Sequence, residues 1–335
     1  MAEQTSDRTP TRREIISLNW RRWALDYGIY AILAFIALVL SIISPAFFQT
    51  SNLLNIFSQA SMKAIIAIGV TMVILMAQID LSVGSVAALA GAITAGVIQA
   101  IPAGWPMEAW LVVSIGAGLG IGALVGLING MFTVLRNIPS FIVTLAMLAI
   151  ARGVVLLYTQ GRPIFGLGEE FSVIAWAEIV GIPVPVILVL VLYLLAWLFL
   201  RETRLGRYIY AIGSNERAVE LSGVNVRAIK IAVFALSGLM AGMGGIVLTS
   251  RLDSAQPTMA TTWELDVIAM VVLGGTSLYG GRGSVAKTLV GALILQTIAN
   301  GLNLMNVQAY WQQVTKGAVI LLALFIERTL RGREE

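Results

Sequence analysis

The chain contains no cysteine and no histidine, and only 12% of its 335 residues carry charge. Each scarcity removes a class of chemistry. Without Cys there is no disulfide, thiolate nucleophile or thiolate metal site, and without His there is no imidazole proton relay and no His-based zinc site. A soluble domain carries about 25% charged residues, so this sequence has about half the usual means of meeting water, which excludes an ordinary soluble enzyme. In their place stand hydrophobic side chains, 58% of the total. A hydrocarbon core about 30 Å thick takes roughly 20 apolar residues per helical crossing, and about ten crossings match that share.

Runs free of Asp, Glu, Lys and Arg span 27–62, 81–107, 109–135, 179–200, 231–250 and 288–315. Together with shorter apolar runs they predict helices near 24–43, 56–77, 82–101, 109–134, 139–158, 184–200, 230–249, 264–279, 285–304 and 309–327. The expected fold class is therefore an all-α polytopic membrane protein of about ten transmembrane helices. Pro45, Pro102, Pro106, Pro183, Pro185 and Pro257 fall in or beside the intervening loops, as punctuation.

Charge placement orients this set. With both termini cytoplasmic, every basic residue except Lys63, Arg152, Arg162, Arg251 and Lys316 lies in or beside an inside segment, as the positive-inside rule requires. The net charge of +4 is thereby explained by topology, and no nucleic-acid partner is implied. The expected organisation is a cytoplasmic segment 1–23, a transmembrane permease domain 24–327 with a cytoplasmic loop 201–229, and a cytoplasmic tail 328–335. No small-residue cleavage site follows a short apolar core, so the first helix is expected to be retained rather than removed as a signal peptide.

Several motifs stand out, each with a plain reading beside a functional one. Gly118, Gly122, Gly126 and Gly130 strip one face of the fourth helix, and small residues at this spacing let membrane helices approach closely. The face serves either static packing or sliding; Gly238 and Gly242 repeat the arrangement. The run from Gly281 through Lys287 and Thr288 differs from a phosphate-binding loop only by Ala286 in place of the second glycine. That loop needs an α/β domain around it, so a tight turn between two membrane helices is expected instead. Asp80 and Ser82 directly precede a helix, where such side chains cap free N–H groups or stabilise a turn. An acid this close to hydrocarbon is equally a candidate for solute contact. Gln256, Trp263, Glu264 and Asp266 form an outside-facing group able to hydrogen-bond and stack on a polyhydroxylated solute, although Thr261 and Glu264 also have capping-box spacing.

The segment 201–229 is the most informative. Asn215 can cap a short helix running through Glu216, Arg217, Ala218, Val219, Glu220, Leu221 and Ser222, and Gly223 can end it. A short helix with such distinct signals, presented on the inside face, is suited to docking a soluble partner.

Six motifs, in order, carry a family resemblance: Ile79-Asp-Leu-Ser-Val-Gly-Ser85, Leu205-Gly-Arg-Tyr-Ile-Tyr-Ala-Ile-Gly213, Leu221-Ser-Gly223, Ser254-Ala-Gln-Pro257, Glu264-Leu-Asp266 and Val272-Leu-Gly-Gly-Thr-Ser-Leu278. On these the chain resembles, over nearly its whole length, a permease of the ribose and related monosaccharide branch of bacterial ABC importers. The resemblance implies a multi-pass protein of the bacterial inner membrane, not itself an enzyme, that moves a monosaccharide by alternating access. It implies a cytoplasmic ATPase subunit that binds ATP and Mg, so that this chain needs no cofactor or metal. It also implies a periplasmic sugar-binding protein and a second permease chain, identical or not, all within membrane lipid. By motif match the helix Glu216–Gly223, with Asn215 before it, is the one that sits in the ATPase. The chain departs from the family at Gln78, Ala260 and Thr262, where Gly is common, at Trp263 in place of Tyr, and at Val219 in place of Ala. The alternative to an ATP-driven importer is a stand-alone transporter driven by an ion gradient. That would favour carboxylates within helices, whereas the acids here cluster at helix ends.

Overall fold

The computed structural model describes residues 12–102 and 104–331. Residues 1–11 and 332–335, which fall in the expected terminal segments, lie outside the described residues. Twelve helices are described: α1 (Arg12–Ile43), α2 (Thr50–Leu75), α3 (Val83–Ala100), α4 (Met107–Leu135), α5 (Ser140–Thr159), α6 (Glu169–Trp176), α7 (Val184–Glu202), α8 (Arg204–Leu221), α9 (Val226–Leu252), α10 (Trp263–Leu273), α11 (Val285–Leu304) and α12 (Ala309–Arg331). Four two-residue strands make two minimal antiparallel pairs. β1 (Ile164–Phe165) pairs with β4 (Ser254–Ala255), and β2 (Glu178–Ile179) pairs with β3 (Ile182–Pro183).

The helices start where the loop chemistry says they should. Pro106, Pro139 and Pro183 stand immediately before α4, α5 and α7, where a fixed φ and a missing N–H cost nothing. Thr203 and Asn225 cap α8 and α9, accepting from the Gly206 and Ala228 amides at 3.0 and 3.1 Å. Among the described residues, seven helices are long and apolar enough to cross a membrane, namely α2, α3, α4, α5, α7, α9 and α11, with a shorter apolar stretch at Tyr27–Ile43.

The bundle is built around α2, whose apolar window is 89% buried against 28% for α4 and 33% for α5 and α7. Outside it the pattern of a soluble protein is inverted. Phe35, Ile42, Val112 and Leu157 are all at least 66% exposed. Exposed apolar surface on this scale is the signature of a lipid-facing belt.

Two linkers run at depth rather than across an end of the bundle. Residues 76–82, between α2 and α3, bring Asp80 to Ser237, eleven residues inside α9. From the opposite end, residues 253–262 fold back along α3. A β-carbon on Gly84, at the start of α3, would lie 2.6 Å from the Ala260 carbonyl oxygen, and one on Gly91 would meet Met259. Irregular backbone at membrane depth is tolerated only where it is buried in protein or lines a water-filled cavity.

The structure differs from expectation in several places. The helix expected over 264–279 ends at Leu273. Gly274 lies so close to α11 that a β-carbon there would be 2.7 Å from Thr288 backbone, and Gly275 turns the chain at φ +77°. The resulting eleven-residue α10 spans only about 16 Å at 1.5 Å per residue, roughly half a bilayer core. The capping box does not form: Thr262 precedes α10 with no side-chain cap, and the Thr261 hydroxyl donates to Thr258 O instead, at 2.6 Å. Of the two plain readings of Asp80, the structure takes the turn: its Oδ1 accepts from the Ser82 amide, and α3 has no side-chain cap. Finally, the short outer helix α6 is unannounced by the apolar runs, being too short to leave one.

Candidate functional site

The face of α4 that carries Gly122, Gly126 and Gly130 lies against α9, and Gly118 on the same face meets Thr94 and Ala90 of α3 as well. A β-carbon at Gly122 would stand 2.5 Å from the Gly238 carbonyl oxygen, and one at Gly130 2.9 Å from the Ile231 Cα. Backbones meet here with no side chain between them. One polar knot interrupts the seam. The Asp80 carboxylate, 1% exposed, accepts from the Ser82 amide (3.0 Å) and hydroxyl (2.7 Å) through Oδ1 and from the Ser237 hydroxyl (2.9 Å) through Oδ2. Asn129, between two of the α4 glycines, donates to the Ser82 hydroxyl at 2.9 Å. Asp80 and Ser82 therefore tie the 76–82 linker to α4 and α9, and their hydrogen-bonding capacity is directed into the protein.

Glu264 approaches the other side of the same helix start: its Oε2 is the nearest atom to where a Gly84 β-carbon would be. The structure thus brings Asp80, Ser82 and Glu264 to the first turn of α3. Trp263 and Glu264 remain partly exposed, and Gln256 is exposed at the rim of the 253–262 segment. Asp266 is separate. Its Oδ2 accepts from both Lys63, at the midpoint of α2, and Lys316 of α12, the latter at 3.1 Å. The Lys63 ammonium also sits 5.2 Å from the Trp263 ring centroid, within cation–π reach. Amide side chains continue this cluster along α2 and α11, Gln59 accepting from Gln296 and Asn52 exchanging hydrogen bonds with Asn300.

The 253–262 segment is strained and held. Asp253, Ala260 and Thr262 all have positive φ, of 47°, 55° and 65°, which a β-branched residue rarely adopts. Arg152 of α5 donates to the Pro257 and Met259 carbonyls at 2.7 and 2.9 Å. Arg251 donates to Ser58 and Asn55 and lies over Trp176 of α6. Ala260 and Thr262 thus hold φ values that glycine adopts without strain.

Sequence reasoning singled out Lys63, Arg152, Arg251 and Lys316 only as exceptions to the charge rule. The structure makes Lys63, Lys316 and Arg152 clamps on the half-length helix or on the segment that precedes it, while Arg251 ties the end of α9 to α2 and α6. Their position outside the inside-facing set was the available signal; their partners were not readable.

At the other end of the bundle, α8 lies across the ends of α2 and α7. Its first part is seated by buried Ile209 and Ile212 and by the Tyr210 hydroxyl, which donates to Gly283 O at 3.1 Å. Gly283 belongs to the glycine-rich run 281–288, which forms the turn into α11. Gly280 and Gly281 there have positive φ, and the Gly281 amide donates to Leu75 O. At Asn215 the helix breaks (φ −159°, ψ 92°), and the Asn215 Oδ1 accepts from the Ala218 amide at 3.0 Å. The short second part runs from Glu216 to Leu221, and Ser222 and Gly223 close it, the latter at φ +83°. Glu216 is anchored by Lys230 of α9 at 2.6 Å to both carboxylate oxygens, and Val219 is buried. Arg217 and Glu220 pair on the surface beside Ala218, while Leu221 is 74% exposed. The result is a capped, anchored helical turn with an apolar side chain facing away from the bundle.

A lipid-facing helical bundle with broken elements meeting at mid-depth and a capped surface helix at one end defines a polytopic membrane permease. The chain belongs to the family described as the branched-chain amino acid transport system / permease component, which matches residues 52–324. With its apolar helices it is a multi-pass protein of the bacterial inner membrane. It is 46% identical over 312 residues to the ribose import permease protein RbsC of Escherichia coli (strain K12), covering 92% of this chain and 95% of that protein. It is 43% identical over 295 residues to the RbsC protein of Bacillus subtilis (strain 168), covering 88% and 89%. To the D-allose transport system permease protein AlsC of Escherichia coli (strain K12) it is 38% identical over 305 residues, covering 91% and 92%. No solved structure matches the chain.

Proposed function

We propose that this chain is the membrane-spanning permease subunit of an ATP-driven importer and forms the pathway for a monosaccharide of the ribose type by alternating access. The observation that carries this reading is the identity of 46% to a ribose permease, spread over 92% of the chain. The match is to a whole transport subunit rather than to a shared membrane segment. An ion-coupled transporter has no comparable support.

In this reading about ten segments cross the membrane, with both termini, the 201–229 loop and the 328–335 tail in the cytoplasm. Residues Asn215 to Gly223 dock on a separate ATPase that holds ATP and Mg, and no cofactor resides on this chain. A periplasmic binding protein delivers the sugar, and a second permease chain, identical or related, completes the pathway. Its wall is supplied by Gln256, Trp263 and Glu264, backed by Asp80, Ser82 and Asp266. The anchoring of Glu216 to α9 by Lys230 supports the mechanical part. A push on the short helix reaches α9, and through the glycine seam α4, as a rigid-body movement.

Reconstitution with candidate ATPase and binding protein tests the reading. Sugar uptake is expected only with both partners and ATP; uptake by this chain alone under an ion gradient would overturn it. Glu220→Arg, and Gly223→Pro at a φ that proline cannot adopt, are expected to leave the chain inserted but to uncouple ATP hydrolysis from uptake. Wild-type uptake in both would remove the docking assignment.

A further inference from the structure

At the end of the bundle opposite α8, residues 160–183 form an outer layer that is firmly rooted yet shows apolar side chains to solvent. On α6, Phe171 and Ala175 are buried four positions apart. The Ser250 hydroxyl of α9 donates to Phe171 O at 2.7 Å and accepts from the Ala175 amide at 3.1 Å. The outer face of α6 carries Val173 and Trp176, each more than half exposed. Beyond it, β2 and β3 pair Ile179 with Ile182, which leaves Val180 and Gly181 as a two-residue hairpin loop. Both loop residues have positive φ, 55° and 74°, as a type I′ turn requires, and the residue favoured at its first central position is Asn rather than Val. A β-branched side chain is strained there. Val180 is also 96% exposed, so burial within the chain does not account for it. Strained residues of this kind collect where the side chain meets a ligand or a moving part.

The charges around it indicate what it meets. Within residues 160–183, Glu169, Glu170 and Glu178 stand against Arg162 alone, and all four are exposed. Carboxylates are costly to bury in a bilayer, which argues against lipid as the occupant. A soluble protein with basic residues around an apolar pocket matches both the exposed valine and the acidic surround. We propose that the β2–β3 hairpin and the outer face of α6 dock the soluble sugar-binding protein, with Val180 seated in an apolar pocket of that partner and the three glutamates facing basic residues at its rim. This rests on the importer reading. The layer is tied to the segment that precedes α10. β1 pairs with β4 at Ile164–Ala255 and Phe165–Ser254, and Arg251, beside that segment, lies 5.0 Å from the Trp176 ring centroid. Docking on the layer therefore bears on residues 253–262, where Gln256 stands.

The probe is the binding protein that restores ATP-driven uptake with this chain in vesicles; if none does, the importer reading itself has failed. Val180→Asn removes the apolar side chain and supplies the residue the turn prefers. It is expected to weaken binding of that protein to the importer in nanodiscs about tenfold, as loss of an interface anchor does, while the permease's melting temperature stays level or rises. Wild-type affinity overturns the proposal. So does a lower melting temperature, because Val180 would then serve the fold. Charge reversal in Glu169→Lys/Glu170→Lys is expected to slow association about fivefold or more at low salt and to flatten its salt dependence; unchanged association overturns the charge match. Because the chain has no cysteine, Val180→Cys supplies a unique thiol. A water-soluble maleimide is expected to label it rapidly in nanodiscs, and binding protein at about ten times its Kd to slow labelling about tenfold by mass action. Slow labelling before the partner is added assigns the hairpin to lipid, and labelling that the partner leaves unchanged places docking elsewhere. Either result overturns the proposal.

Discussion

The two halves of this bundle are held together by opposite means. Along α4 and α9, side chains are removed, so that Gly122, Gly126 and Gly238 let backbone touch backbone. Around α10, side chains are added, and one carboxylate, Asp266, is gripped by lysines from α2 and α12. In lipid there is no hydrophobic drive between helices, so close packing and interhelical polar contacts are what remain. The seam relies mainly on the first, while α10 adds the second to its own close approach to α11 at Gly274 and Gly291. The difference follows from length. α4 and α9 are long enough to pack along a continuous seam, whereas the half-length α10 offers a short contact with α11 and is pinned in addition through Asp266.

The seam should be the less forgiving of the two. Gly126→Leu places a side chain where even a β-carbon would run into the Phe234 carbonyl and lie 3.0 Å from the Ala235 Cα. Neither is a flexible side chain that could yield, so the helices must separate along their length. Overpacking alone typically costs about 1–3 kcal/mol, and loss of the seam's backbone contacts adds to it. The expected outcome is loss of the folded, monodisperse permease in size-exclusion chromatography. A Gly126→Leu protein that purifies and transports normally would show that the seam is not a packing surface.

The pinned region should lose less, and in a recoverable way. Asp266→Asn removes the carboxylate that binds both Lys63 and Lys316 and leaves two cations facing each other in a largely buried place. Breaking a buried ion pair by removing one partner costs about 3–5 kcal/mol, read as a lowered melting temperature. Replacing all three residues together by apolar side chains of similar size is expected to restore most of the stability, as with buried ionic triads elsewhere. Uptake should not recover with it if the clamp also positions Trp263 and Glu264. Full recovery of both would reduce the cluster to packing.

The two regions also differ in how far they could be read from sequence. The glycine ladder declares itself within one helix by its spacing of four, and Asn215 and Gly223 declare the broken surface helix by their local chemistry. The Lys63–Asp266–Lys316 cluster joins residues 203 and 50 positions apart, and no local pattern relates them. The end of α10 is a different case. The uncharged run continues past Leu273, but Gly274-Gly275 is a local stop: Gly275 takes φ +77° while the Gly275 and Thr276 amides donate to Val272 O and Val271 O, a signal that was present in the sequence. Asp80 was readable as a turn residue. That its turn lies inside the bundle, against Ser237, depended on where α9 would run.

Asp80 supplies the finest test of the contrast, because it is a buried acid inside the seam whose hydrogen-bond partners are all neutral. In Asp80→Asn the side-chain oxygen can still accept from the Ser82 amide and hydroxyl. The new amide group can donate to Ser237, whose hydroxyl accepts as readily as it donates. The lost strength of charge-assisted bonds is offset by no longer holding an ion away from water. The net effect on stability is expected to stay within about 1 kcal/mol, with uptake retained. Asp80→Ala strands all three donors, at about 1–3 kcal/mol for each buried group left unpaired, and should lower the melting temperature clearly. The order Ala well below Asn, with Asn near wild type, identifies Asp80 as a neutral-partner tie in the packing seam. If Asp80→Asn keeps its melting temperature yet abolishes uptake, the charge itself acts on the solute, and the division between a packed half and a charged half fails at this residue.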